Sequence, residues 1–487
     1  MKNLKIICFI LICYFFFLNS YGLLDPDEPR YAATSKNMVI SGNYLIPEFN
    51  GHLRINKPPL TYWLISLSYK IFGINEFAAR FPHAFLSILL LFIVVYISKN
   101  YISSDKAYLS AIILASTPFY FFFSRLCNTD MILNFFFACS MLLFFKYYEK
   151  NKLKYLILSL LCYLFANLTK GPVAYLIPVI IAIFLVSEKK FLFFKKFYLI
   201  IITILISLSS LLWLFYVGLK TGSIDSLKSL IFNETLGRMF KGYAHKEPFY
   251  FYLIYFPLLF FPWSVIIFFS KINLKFNKYL KFNLIWFLTV FLFFSLSKSK
   301  LISYILPLSM PFSIIVASLI EELKFKINFK YVFSGVLIFI GVLTGYLVAI
   351  QEFQLNLSIL MLFLVCILLW YIKNLCSKCT FIGIISIFLL TTILTLSGKY
   401  ISDLKSERFL KDINFPKDFK IIVFRKKLTG CAFYKGNYNT ADSIEKLKEL
   451  KDGSTFILTS TGMYDRYLKK AINYKIVFKT KGRVLLQ

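Results

Sequence analysis

Long apolar runs separated by short polar turns recur from the N-terminus to about residue 397. A helix needs ~20 mostly apolar residues to cross the hydrocarbon core of a bilayer. On that measure the pattern predicts spans near 4–24, 82–98, 107–124, 130–148, 153–169, 172–187, 197–217, 249–270, 281–297, 302–320, 332–350, 355–373 and 380–397, about thirteen crossings. Lys2 and Lys5, an apolar stretch and Asn19-Ser20-Tyr21-Gly22 also fit a signal peptide; an uncleaved anchor is expected. Between the first two spans, loop 25–81 carries two helical patterns. Pro29 at a first helical position and Gly42 after the last mark a helix over 29–41. After Pro58-Pro59, the residues Leu60, Trp63, Leu64, Leu67 and Ile71 recur at helical spacing, a pattern suited to lying on the membrane surface. The tail 398–487 changes period. Strand-like 420–425, 455–460 and 474–480 alternate with helical 443–450 and 463–470, which predicts a small external α/β domain beside a membrane domain over 1–397. That tail contains no phosphate-binding glycine motif and no catalytic cluster, so its expected role is capping or acceptor recognition.

Composition fixes the class. The 487 residues are 58% hydrophobic and 16% charged, with mean hydropathy +0.69, which excludes a soluble domain of this size. A net charge of +32 would suggest nucleic acid in a soluble protein. Here the lysines sit in alternate loops (Lys99 and Lys106; Lys146 to Lys154; Lys189 to Lys196; Lys271 to Lys281; Lys324 to Lys330; Lys373 and Lys378), and no nucleic-acid partner is expected. The bias places those loops and the N-terminus in the cytoplasm, and loops 25–81, 218–248 and the tail outside. Nine cysteines are scattered, and the lone Cys376/Cys379 pair lacks the second pair a zinc site needs.

Polar residues collect on the predicted outer face. The densest run is Asp25-Pro-Asp27-Glu28-Pro-Arg30-Tyr31. Capping the following helix accounts for one of its acids but not for the run; a carboxylate there is suited to orient or deprotonate a hydroxyl. Asp130 opens an apolar helix, where capping and chemistry are both open readings. Lys57, beside Arg54 and Asn56, precedes the double proline. Arg238, Lys241, His245 and Lys246 lie in the second long loop, and Lys298 and Lys300 break the orientation bias in a short outer turn. An anionic headgroup would account for Lys298 and Lys300; Lys57 fits either a fixed cation near lipid phosphates or an ordinary snorkelling lysine, and a lone histidine such as His245 is more often structural. Mid-span ionisable residues are nearly missing, which argues against an ion-coupled transporter.

As an ordered set, Asp27-Glu-Pro-Arg-Tyr-Ala32, Ser41-Gly42, Asn50-Gly51, Lys57-Pro-Pro-Leu-Thr-Tyr-Trp63, Asn75-Glu-Phe-Ala-Ala-Arg-Phe-Pro82, Thr129-Asp130, Thr169-Lys-Gly-Pro172, His245-Lys-Glu-Pro-Phe249 and Lys298-Ser-Lys-Leu301 with Tyr304 and Pro307 resemble a known family. It is the bacterial polyprenyl-phosphate-dependent membrane glycosyltransferases, containing the aminoarabinose transferases of lipid A and related to protein O-mannosyltransferases. The resemblance runs over about 20–320 and is densest before 85. It implies a mainly α, type-C glycosyltransferase fold and an inverting transfer from an undecaprenyl phosphate sugar to lipid A or another glycoconjugate at the outer face of the bacterial cytoplasmic membrane. It also implies Asp27 as the essential first-loop acid with Glu28 beside it, Asp130 as the second acid, and Arg30, Tyr31, Lys57, Arg238, His245, Lys298 and Lys300 around the lipid-linked phosphate. No nucleotide sugar or other cofactor is implied beyond the lipid-linked donor. Asn56 stands where characterised relatives often carry an acid that joins a histidine in holding a divalent metal, and at that position this chain departs from the pattern. Transfer to protein hydroxyls and a lipid or glycan transporter are the rival readings.

Overall fold

The computed structural model describes residues 2–16, 18–222, 246–272, 277–323, 378–426, 428–450, 454–469 and 475–487. The predicted spans 332–350 and 355–373, together with Cys376, Arg238, Lys241 and His245, lie outside those residues. Six described helical segments are long and apolar enough to cross a bilayer, or seven with the bent pair Phe251–Leu259 and Trp263–Phe269.

The 35-residue segment Leu153–Ser187 doubles back at its middle. Its first half ends at Lys170, and Gly171 takes a positive φ of 38°. Beyond it the chain returns, because Tyr148 at the end of the preceding helix donates to Glu188 at 3.3 Å while Asp130, at that helix's start, meets Lys170. The predicted turn between 169 and 172 therefore exists.

Other spans depart from their predicted form for local reasons. The first is helical only over Lys2–Phe15. The carbonyls of Cys13, Tyr14 and Phe16 accept from the Arg125 guanidinium, a cation satisfying a helix C-terminus. The predicted span 107–124 divides into Ser104–Ser116 and Pro118–Phe123, since Thr117, the residue before a proline, is extended at ψ 132°. The predicted span 249–270 breaks before Pro262 and turns by 98°. The second surface-helix pattern becomes Leu60–Phe72. Its buried face is Tyr62, Ile65, Ser66 and Tyr69, packed on the first-loop helix, whereas Leu67 and Ile71 of the predicted stripe stay exposed.

The first-loop helix spans Asp27–Ser41 and ends on Gly42 at φ 72°, whose N–H reaches the Met38 carbonyl. The tail forms a five-stranded sheet in the order Asn439–Ala441, Lys420–Phe424, Thr455–Ser460, Arg483–Leu486, Ile476–Lys479. The first three strands are parallel, and the last two join them antiparallel. The predicted helix 443–450 becomes Ile444–Leu450, while the stretch after 460 is one short turn, Thr461–Met463, running into a π turn, Tyr464–Leu468.

The tail is bolted to the first loop. Asp25 accepts from Thr429 N–H (2.9 Å), Thr429 Oγ1 (2.6 Å) and Gly430 N–H (3.2 Å), and pairs with Arg483 at 3.0 Å. Lys411 donates to both oxygens of Glu76 at 2.8 Å, and Lys36 donates to the Phe433 carbonyl at 2.8 Å. Asn50 and Tyr438 exchange two hydrogen bonds. First loop and tail therefore occupy one face of the helical bundle.

Candidate active site

The acidic run at the start of the first-loop helix separates into three roles. Glu28 is 3% exposed and its acceptor sites are full. Arg80 Nε and Nη2 donate to it at 2.9 and 2.6 Å, and the N–H groups of Cys127 and Leu24 donate at 2.8 Å each. Arg80 spends its other donors on the carbonyls of Leu18, Tyr21 and Gly22. A carboxylate so engaged has no lone pair left for an acceptor hydroxyl, so Glu28, placed with the catalytic acids from sequence, is a brace between the first loop, the next helix and the turn before Asp130. Asp25 holds the tail. Asp27 alone points outward, 69% exposed and 3.6 Å from Arg30.

Around Asp27 lies a compact cationic and aromatic wall. The Arg54 guanidinium stands 5.0 Å from the Tyr31 ring centroid and 5.8 Å from that of Phe49, and donates to Tyr62 Oη at 3.1 Å. Tyr31 and Tyr62 stack at 5.6 Å. Burial pushes the Tyr31 hydroxyl up, and the neighbouring Tyr62 adds to that rise, against the pull of Arg54. Among the described residues Arg54 has no carboxylate in salt-bridge contact, which leaves its charge for a ligand anion.

Asp130 sits in the first turn of helix Thr129–Lys150, behind Asn128, whose side chain caps the Asp130 N–H at 2.9 Å. Its carboxylate is paired with Lys170, both side chains being 11% exposed. The Lys170 ammonium also stands 5.0 Å from the Tyr304 ring centroid. Tyr304 follows the turn that contains Lys298 and Lys300. Lys298 is exposed; Lys300 is buried and donates to the carbonyls of Glu247 (3.0 Å) and Ser297. Its charge thus closes the turn against the segment after 245, where Lys246 bridges Ser299. Lys57 is half-buried on the turn that carries Arg54.

Residues 56–214 match the family described as dolichyl-phosphate-mannose-protein mannosyltransferase. An uncharacterised protein of Aquifex aeolicus is 32% identical over 72% of this chain and 81% of its own length. The undecaprenyl phosphate-α-4-amino-4-deoxy-L-arabinose arabinosyl transferase of Wigglesworthia glossinidia brevipalpis is 33% identical over 66% of this chain and 59% of its own. The chain belongs to the polyprenyl-phosphate-dependent GT-C glycosyltransferase family. Across most of its curated relatives the match spans between 53% and 65% of their length. The fold is that of the crystal structure of ArnT from Cupriavidus metallidurans bound to undecaprenyl phosphate, with TM-score 0.76 and 17% identity over 99% of this chain and 97% of that one.

In this GT-C chain the structure also draws in residues to which the sequence reading gave no role, with Arg54 over Tyr31 and Lys170 against Asp130 and Tyr304. Arg54 was visible only as a neighbour of Lys57, and Lys170 and Tyr304 only as parts of motifs. A usable signal existed: Lys170 is one of the few cations on the lysine-poor face. Asn56 offers a neutral amide, and among the described residues no three of His, Cys, Asp and Glu gather. His245, the remaining candidate ligand, lies outside the described residues.

Proposed function

We propose that the protein moves a sugar, 4-amino-4-deoxy-L-arabinose or a close analogue, from undecaprenyl phosphate to lipid A or another envelope glycolipid at the outer face of the bacterial cytoplasmic membrane, with the N-terminus inside and the tail in the periplasm. The observation that supports this reading is the Arg54 guanidinium over the Tyr31 ring, with no carboxylate in salt-bridge contact among the described residues, on the helix whose first turn carries the exposed Asp27. An acid to take up or orient the acceptor proton and a cation to hold the anion are what the displacement of a lipid phosphate requires. The acceptor oxygen attacks the anomeric carbon, the bond from that carbon to the phosphate oxygen breaks, and polyprenyl phosphate leaves with the electron pair. Arg54, with Arg30 and Lys57 beside it, stabilises the charge gathering on the departing phosphate. Asp27, open to solvent, takes or orients the acceptor proton. Asp130, neutralised by Lys170, acts as a fixed dipole that aims the ammonium across Tyr304. No further cofactor enters this scheme.

The test uses membrane vesicles containing the protein and radiolabelled undecaprenyl phosphate aminoarabinose. Label appearing on lipid A, and lost in Asp27→Asn with the protein still inserted, is the expected result. Label appearing on protein would redirect the acceptor to a polypeptide hydroxyl. Label crossing the bilayer chemically unchanged would replace transfer with transport.

A further inference from the structure

The tail carries a second concave site that the transfer scheme leaves unused. A crevice of about 430 Å³ is lined by Lys405, Lys426, Arg466, Lys481 and Arg483 together with the loop Ser460 to Gly462. It lies at the carboxyl ends of the parallel strands Lys420–Phe424 and Thr455–Ser460. The chain leaving the first of these runs to the strand on one side of it, Asn439–Ala441. The chain leaving the second runs the opposite way, to the far edge strand Ile476–Lys479. In open α/β sheets such a reversal opens a gap between the departing connections, and ligands settle there.

The charges in the crevice are unequal. Arg483 is committed to Asp25 and Glu407, and the Lys481 ammonium stands 4.8 Å from the Tyr400 ring centroid. Lys405, Lys426 and Arg466 are exposed, and among the described residues none of their side chains makes an ion pair. Burial lowers the Lys426 ammonium pKa, and Arg483 and Lys405 push it the same way, against Asp25 and Glu407. Cations crowded this closely repel one another until an anion enters.

We infer that this crevice binds a phosphate monoester borne on the sugar headgroup of a membrane lipid, which on the transferase reading is the acceptor. Height above the membrane favours a sugar-borne phosphate. Lys405, which lines the crevice, ends helix Lys378–Lys405, nine residues past the apolar Leu396, or roughly 13 Å along the axis at ~1.5 Å per residue. Ordinary phospholipid headgroups occupy only about 5–7 Å beyond the hydrocarbon. A phosphate lifted by a sugar reaches further. Charge-assisted contacts to three uncommitted cations hold it.

The experiment is hydrogen–deuterium exchange on the full chain in nanodiscs of zwitterionic lipid, with and without lipid A in the bilayer, and separately with soluble glucosamine 1-phosphate. Lipid A is expected to protect 460–466 and 481–483, with glucosamine 1-phosphate giving the same pattern only at far higher concentration. In Lys426→Ala/Arg466→Ala, whose exposed side chains leave folding intact, half-saturation should rise roughly tenfold or more. Protection by the soluble probe but not by lipid A would overturn the lipid assignment. Protection by neither, or protection indifferent to the double substitution, would overturn the site. Because no sugar moves in this measurement, either result stands apart from success or failure of the transfer assay.

Discussion

Three carboxylates within four positions meet three fates, and partners far away in the chain decide which. Asp25 faces Thr429 and Arg483, Glu28 faces Arg80 and Cys127, and Asp27 faces solvent. Sequence alone marks the run as exceptional, since capping needs only one acid. It cannot sort the members, because each assignment depends on a residue brought in by the fold. Substitutions should separate them. Glu28→Ala strands a buried guanidinium and should cost on the order of 3–5 kcal/mol, read as a lower unfolding midpoint in detergent. Asp27→Asn should leave that midpoint unchanged while cutting transfer at least ~100-fold. A normal midpoint in Glu28→Ala would return Glu28 to the pool of reactive acids. Arg54→Ala should raise the KM for the lipid donor roughly tenfold, with a smaller change in kcat if the guanidinium holds phosphate in the ground state as well as at departure. An unaltered KM would remove Arg54 from donor binding.

Among the elements, hydrophobic periodicity locates most helices but not their interruptions or their mutual docking. Runs such as 107–124 and 249–270 read as single spans because proline is one residue among twenty, yet Pro118 and Pro262 reshape the backbone where they stand. The edge strand Asn439–Ala441 and the terminal strand Arg483–Leu486 escaped the sequence reading, the first for its three residues and the second for lying at the chain's end. Pattern reading also said nothing of the tail's attachment to the first loop, whose centre is Asp25 and Glu407 sharing Arg483. Burial first, and Asp25 second, push the Glu407 carboxyl well above the usual carboxylate range, against the pull of Arg483. A raised acid binds its proton more tightly in the docked state than in the released one. The resulting stabilisation is complete below the ordinary carboxylate pKa and fades as pH rises through the raised value. Exchange at 428–434, corrected for intrinsic rate, should therefore quicken with rising pH in the wild type and stay flat in Glu407→Gln. Slowing with rising pH in the wild type would reverse the sign of this coupling.

For the molecule as a whole, the first loop, the tail, the Asp130–Lys170 pair and the turn at Lys300 all gather at one end of the bundle. The lysine-rich turn that contains Lys152 joins the far ends of the helices starting at Thr129 and ending at Lys170. This polarity is a consequence of helix parity, since each crossing reverses direction and the charge bias selects which end stays in the cytoplasm. It was legible before any coordinates because lysine counts alternate from loop to loop, even where individual spans were drawn too long or left unbroken. The polarity makes a prediction independent of chemistry. In a cysteine-free background, Asn437→Cys in the tail and Asn43→Cys after the first-loop helix should both react with a membrane-impermeant maleimide applied to spheroplasts. Lys152→Cys should react only after the membrane is opened. Labelling of Lys152→Cys in sealed spheroplasts would place the lysine-rich turns outside and the Asp27 pocket in the cytoplasm, where a lipid-linked donor presented at the outer leaflet is out of reach. Labelling of only one of the first two would separate the tail from the loop, against the Asp25–Arg483 and Glu76–Lys411 pairs that join them.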